Sequence, residues 1–295
     1  MKVKRQNFIL NLVKIYMQRR GQALLILSQK PSKRGRPKQY PDEIILTMLF
    51  LQTAWNLSFR DAEVFAKMIF GEEEIPDYST YYYRLKTLSS LLVTDFIDFS
   101  SERLLKRYSN QIVYFIIDGT GFKYDDLYPL KILRGTQIKE VRSHVKAVIL
   151  SSHLANGKRF VVSIAIGKSY ANELRLGEEI LEWIGFNEEY REIIDGKPLI
   201  GDKGYDSEDF ILLVRLLGFK PYIKVREKLG VKSYWRELAK ELVESEGVYK
   251  QRERVEAIFG EIKQALGSYE RTKSFELAAL FVLAKFAYSI CVSLL

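Results

Sequence analysis

The sequence holds few of the residues that most often advertise chemistry. Its 295 residues include one cysteine, Cys291, and two histidines, His144 and His153. A single cysteine excludes an internal disulfide and fits a reducing, cytoplasmic compartment. The two histidines bracket a strand-like stretch without metal-ligand spacing, so neither is given a catalytic role. The first 20 residues lack the continuous apolar core of a signal peptide. The longest apolar run, "FELAALFVLAKFAYSICVSLL" at 275–295, carries Lys285 at its middle. A charge there costs roughly 2.5–3.5 kcal/mol in a bilayer, so a buried terminal helix is expected and no membrane partner. Internal repeats and low-complexity tracts are absent. So are acidic residues from the first 41 positions.

What is present begins with those 41 residues. They hold eleven Lys and Arg, leaving 35 basic against 37 acidic residues in the other 254. The net charge of +9 is thus a basic arm on a near-neutral body. That pattern favours a polyanionic partner, nucleic acid before membrane; the plain alternative is a solubility tail. Hydrophobic residues make up 47% of the chain, enough for a real core in one large domain or two modest ones.

Apolar spacing predicts a helix over residues 6–28, followed by the linker "PSKRGRPKQYP". Pro41 and two acidic residues open another helix, "PDEIILTMLFLQTAW". Asn56 or Ser58 can cap "FRDAEVFAKMIF", and Pro76, Asp77 and Ser79 precede "TYYYRLKTL". Three short helices with tight connections suit a helix-turn-helix, although a plain bundle fits the same pattern. In that helix one of Tyr81, Tyr82 and Tyr83 could meet DNA while at least one packs inward. Residues 89–108 read as a connecting helix.

Near residue 111 the pattern changes. "IVYFIID" is a buried strand. "VKAVILSSHLANGKRFVVSIAIG" is a hairpin turning at Asn156-Gly157. A helix over 172–185, the strand "PLIGD", a helix "SEDFILLVRLLGF" capped by Asp206 or Ser207, the strand "KPYIKV" and two more helices follow. The order β-β-β-α-β-α-β-α is that of a ribonuclease-H-like domain, an α/β fold with a mixed five-stranded sheet flanked by helices. Order prunes topology and leaves function open. Trp55, Trp183 and Trp235 read as packing residues.

Two carboxylates close buried strands, Asp118 and Asp202. Strand ends at the carboxyl rim of an open sheet are where ligands bind. Two carboxylates brought together there would repel unless a divalent cation lay between them, and few hard oxygen ligands suit Mg²⁺. Each Asp is also followed closely by Gly, as turn residues are. Asp125 and Asp126 read as solvated loop residues, Asp206 and Asp209 as servants of a helix N-terminus.

The stretch "YKQRERVEAIFGEIK" (249–263) holds three glutamates. Taken as an α-helix at about 100° per residue, it puts Tyr249, Arg252, Glu256 and Lys263 in one arc of about 60° beside the apolar face. Glu253 and Glu261 fall outside that arc. Glu256 is therefore the glutamate able to reach a sheet-edge site.

The spacing Tyr249-x2-Arg252-x3-Glu256-x6-Lys263 resembles the Tyr-Arg-Glu-Lys signature of insertion-sequence transposases with a DDE catalytic domain. "IIDGTG" and "GDKGYD" are similar to the family's two aspartate motifs, giving Asp118 and Asp202. The stretch "SYANELRL" departs from the His-Asp that relatives often show after the third strand. A large inserted β domain looks absent between Asp202 and Glu256.

The resemblance implies catalytic, metal-holding residues Asp118, Asp202 and Glu256. Two Mg²⁺ ions, with Mn²⁺ as a substitute, would serve DNA cleavage and strand transfer. It implies phosphate contacts from Tyr249, Arg252 and Lys263. Its partners would be double-stranded DNA at transposon ends and target, and a second copy in a synaptic homodimer, in the cytoplasm at the nucleoid. Arg34 and Arg36, in an Arg-Gly-Arg-Pro run similar to an AT-hook core, are further candidate DNA contacts. The expected organisation is a basic arm with helix and AT-hook-like linker (1–40), an all-α DNA-binding region (41–108) and a ribonuclease-H-like catalytic domain (109–295). Rivals are another metal nuclease on this fold, such as a junction resolvase, and a non-catalytic DNA-binding derivative.

Overall fold

A computed structural model describes residues 8–9, 11–19, 39–126, 131–134, 137–140, 143–226, 233–245 and 247–295, with 132–134 and 137–140 described by backbone alone. Residues 8–9 and 11–19 are helical. Arg34, Arg36 and the whole "KRGRPK" linker lie outside the described residues.

Among the described residues, four further α-helices precede the sheet. Helix α1 (Asp42–Trp55) starts after Pro41 with Asp42 and Glu43 in its first turn, and ends at Asn56 in left-handed conformation, φ 51°. Ser58 opens α2 (Phe59–Phe70), its hydroxyl accepting from the Asp61 N–H at 3.2 Å. The two expected cap residues thus serve opposite ends of the connection. Asp77 caps α3 (Tyr78–Thr87) through the N–H groups of Ser79 and Thr80. In α3, Tyr81 is buried and donates to Gln52 at 2.8 Å, whereas Tyr83 is exposed. Helix α4 (Ser90–Tyr108) leads into the sheet.

The central strand is β1 (Ile112–Tyr124). A short hairpin follows, β2 (Lys131–Arg134) and β3 (Gln137–Glu140), which the sequence pattern does not announce. Next come β4 (His144–Leu154) and β5 (Arg159–Lys168), joined at Asn156-Gly157 with Gly157 at φ +82°, a conformation that favours glycine. Helices α5 (Glu173–Gly185) and α6 (Glu188–Ile194) lead to β6 (Pro198–Gly201). Then α7 (Glu208–Leu216), β7 (Lys220–Ile223), α8 (Tyr234–Ser245), α9 (Arg254–Leu266), β8 (Tyr269–Glu270) and α10 (Phe275–Leu294) complete the chain.

The sheet order is β5-β4-β1-β6-β7, with β8 added to the far end of β1. The β1–β4 and β4–β5 pairs are antiparallel, while β1–β6 and β6–β7 are parallel. This is the ribonuclease-H-like α/β arrangement, six strands in place of the expected five. The strand β8, two residues long, is too short for periodicity to reveal.

The two faces of β1 bury different partners. Ile117 packs with Tyr205, Phe210 and the α5 backbone at Gly177. Phe122, on the opposite face, meets Phe286 of α10 edge-on at 5.9 Å. Burying such a side chain stabilises by roughly 1.5–3 kcal/mol. Helix α10 also packs on α1 and α4, and one core runs from Ile9, Leu12, Val13 and Tyr16 of the first helical stretch to Cys291. It is long and apolar enough to cross a membrane, yet 72% of its apolar window is buried inside the protein. Its mid-helix Lys285 is buried, ion-paired to Glu270 and bonded to the Gly267 carbonyl at 2.8 Å.

Candidate active site

Asp118 lies within β1, and Asp202 directly follows β6. The parallel register Phe115↔Leu199 and Ile116↔Ile200 brings both to the same end of adjacent strands. Adjacent strands sit about 4.8 Å apart, so the sheet alone makes the two carboxylates neighbours. Each turns back on local backbone: Asp118 Oδ1 accepts from the Gly119 N–H at 2.8 Å, and Asp202 Oδ1 from the Gly204 N–H at 2.6 Å.

The segment supplying the other residues is not one α-helix. Val248–Glu253 forms a 3₁₀ helix and only Arg254 onward is α. A 3₁₀ turn advances about 120° per residue, so the single 100° wheel fails for Tyr249 and Arg252. Tyr249 and Arg252, three apart, still eclipse on one side. From there Arg252 Nη1 donates to Asp118 Oδ2 at 3.1 Å, and its other nitrogen stands 4.0 Å from Glu256 Oε1. One guanidinium thereby links the first and third predicted acids. The Asp118 side chain is 13% exposed and that of Glu256 66%.

Burial pushes the Asp118 carboxyl up to about 6, with the Gly119 N–H and Arg252 opposing that and the charges of Asp202 and Glu173 reinforcing it. Burial likewise raises the Tyr249 hydroxyl, in the field of Arg252, Asp202 and Asp118. Lys263 Nζ donates to Thr120 Oγ1 at 2.6 Å, on the same edge of β1. Burial, then Lys123, lowers its pKa. Lys224 lies 5.9 Å from the Tyr249 ring centroid, adding positive charge to the rim.

Among the described residues no three His, Cys, Asp or Glu side chains are gathered closely enough to hold a metal ion as they stand. The donor set nonetheless fits a hard divalent cation: the candidate ligands are carboxylates, and a protein cation already spans two of them.

Two family models, both described as "Transposase DDE domain", match this chain at residues 110–290 and 12–125. The chain belongs to the transposase DDE-domain family. A protein of Aquifex aeolicus (strain VF5), aq_aa40, described as uncharacterized, is 33% identical over 261 residues, spanning 86% of this chain and 78% of its own length. Among solved structures, the piggyBac transposase synaptic complex with hairpin DNA shares 11% identity, with 92% of this chain and 71% of that one covered at TM-score 0.40. The Mos1 mariner paired end complex with Mn shares 12%, covering 95% and 86%, at TM-score 0.24.

In this DDE-family chain the remaining acids divide. Glu253 is exposed, and Glu261 pairs with Arg159 across the surface. Asp206 caps no helix: it takes both Arg236 Nε and Nη2 at 2.8 Å and accepts from the Arg226 N–H. Burial opposes its charge, but the Arg236 hydrogen bonds win and hold its carboxyl below the ordinary range. Asp126 is tied to Tyr124 at 3.1 Å and Ser143 at 2.9 Å, not merely solvated, and Asp125 accepts from Tyr269. His153 is buried and stacked on Tyr114, where burial lowers its pKa to about 3, so it stays neutral. The residues that sequence reasoning missed are Glu173 and Tyr205. Their signal was an acidic residue straight after the Asn172 cap, and a tyrosine three positions beyond Asp202.

Proposed function

We propose that this chain is an active transposase of an insertion sequence. It binds the terminal inverted repeats of its element as double-stranded DNA, cuts there, and joins the ends to target DNA as a synaptic homodimer. The observation that carries this reading is Arg252, bonded to Asp118 and one helical turn from Glu256. It ties Asp118 to the distant segment that carries Glu256. Asp118, Asp202 and Glu256 would hold Mg²⁺, with Mn²⁺ as a substitute. The bound metal would supply Lewis-acid activation of the attacking oxygen and charge stabilisation of the leaving one.

The chain's own residues do the rest. Arg252, Lys263 and Tyr249 are the candidate phosphate contacts, with Arg252 suited to a forked grip and Lys263 to a point charge. Arg252 also holds Asp118 toward its ionised form until DNA or a cation takes its place. Residues 41–108 carry 11 acidic and 7 basic side chains, so their helices are a poor source of general phosphate attraction. The basic arm, with Arg34 and Arg36, and the lysines of the rim are the better source.

The test is a Mg²⁺-dependent assay on DNA carrying the element's ends. Cleavage followed by a joined product supports the reading. Cleavage at the same sites with no strand transfer would instead indicate a nuclease, and binding without cleavage a non-catalytic protein.

A further inference from the structure

A half-buried acid on the other side of Asp118 has no assigned role. Glu173 is the first residue of α5, and the Asn172 side chain already caps that helix through the Leu174 N–H at 3.0 Å. The Glu173 carboxylate points elsewhere. It accepts from the Tyr205 hydroxyl at 3.2 Å, and Tyr205 is fully buried three residues beyond Asp202. It also lies over the backbone next to Asp118. A Cβ placed on Gly119 would come within 2.5 Å of Glu173 Oε1. Only the missing side chain at 119 lets this carboxylate approach.

The charge balance around it is incomplete. Among the described residues neither Glu173 nor Asp202 has a lysine or arginine ion-pair partner, and Arg252 engages Asp118. Like charges held close in a half-buried site cost stability unless something neutralises them. If Glu173 served only the α5 dipole, it would not need the Tyr205 bond or the cradle at Gly119. We propose that Glu173 is a fourth carboxylate of the cation site, oriented by Tyr205 and contributing oxygen to a divalent metal beside Asp118. This rests on the reading of Asp118 and Asp202 as cation-holding residues.

Mn²⁺ binding to the full, metal-free chain tests it, by calorimetry, with circular dichroism confirming that each variant is folded. Glu173→Gln removes the charge and keeps the shape. Glu173→Asp keeps the charge at the helix N-terminus and withdraws the oxygens by one methylene. Both are expected to weaken Mn²⁺ binding by about ten-fold or more, and Glu173→Gln to leave the metal-free melting temperature unchanged or higher. Wild-type Mn²⁺ affinity in the folded variants would overturn the assignment. Asp118→Asn is the control. If it too binds Mn²⁺ as wild type, the reading of the whole site has failed. If it loses binding while the Glu173 variants keep it, only Glu173 is misassigned.

Discussion

Arg252 donates to the Asp118 carboxylate across 3.1 Å, so the strand-end acid carries its counter-charge on a separate element. This pairing only partly offsets burial, since the Asp118 carboxyl is still pushed up to about 6. The sign of the consequence follows. A folded-state value above the ordinary carboxylate value of 3.8 means the native state binds protons more tightly than the unfolded chain. The metal-free protein should lose stability as pH rises from about 4 to about 6, by on the order of 3 kcal/mol from this group. Asp118→Asn should flatten that slope and raise the melting temperature at neutral pH. An Asn variant whose melting curve tracks wild type at both ends of the window would show that the strain is not there.

Removing Arg252 should move the same group further up. Arg252→Gln deletes the charge that favours the carboxylate, so Asp118 should titrate above 6 by carboxyl-carbon NMR. An unchanged midpoint would mean that the guanidinium is not held against it in solution.

Glu256→Gln should abolish cleavage and leave binding of end DNA nearly intact. Glu253→Gln should be close to neutral in both. Glu261→Gln should cost only the surface pair with Arg159, roughly 0–1 kcal/mol of stability, with cleavage retained. Gel assays of binding and strand cleavage on the same preparations separate these effects. Normal cleavage by the Glu256 variant would remove it from the site.

Replacing Lys33, Arg34, Arg36 and Lys38 with glutamine, which leaves the buried Ile9, Leu12, Val13 and Tyr16 in place, should weaken DNA binding and flatten its salt dependence. Each phosphate deprived of its basic partner reduces the slope of log affinity against log salt by about 0.9. Filter binding across a salt series reads the slope directly. An unaltered slope would place the phosphate contacts on the rim lysines.

The Lys285–Glu270 pair is almost fully buried. Removing one partner, as in Glu270→Ala, should destabilise by about 3–5 kcal/mol. Pairing Glu270→Gln with Lys285→Met should recover much of that loss, as measured by urea unfolding.

The placing of Asp118 and Asp202 at the ends of adjacent strands was legible in the sequence, and the spaced signature singled out Glu256 as a candidate. Their surroundings were harder to see. The 3₁₀ turn at Val248–Glu253 follows no apolar period that differs from an α-helix. Arg252 therefore reads as a helical neighbour of Glu256, when its first partner is Asp118. Glu173 and Tyr205 meet only through the fold, one at the head of a helix and the other beyond a strand. Asp206 looks like a cap by position, and only the return of α8 shows that Arg236 claims it. Local chemistry can be read along the chain, whereas partners across the sheet need the topology.

Helix α10 lies against α1, α4 and the sheet at once, and Arg107 at the end of α4 bonds the Leu294 carbonyl at 3.0 Å. A cut at residue 108 would therefore leave neither fragment with a finished interior. The helical region would lack the wall it folds against, and the sheet would expose the apolar flank of its last helix. The N-terminal helices and the sheet thus share a single interior, and the two parts should melt in one transition rather than two.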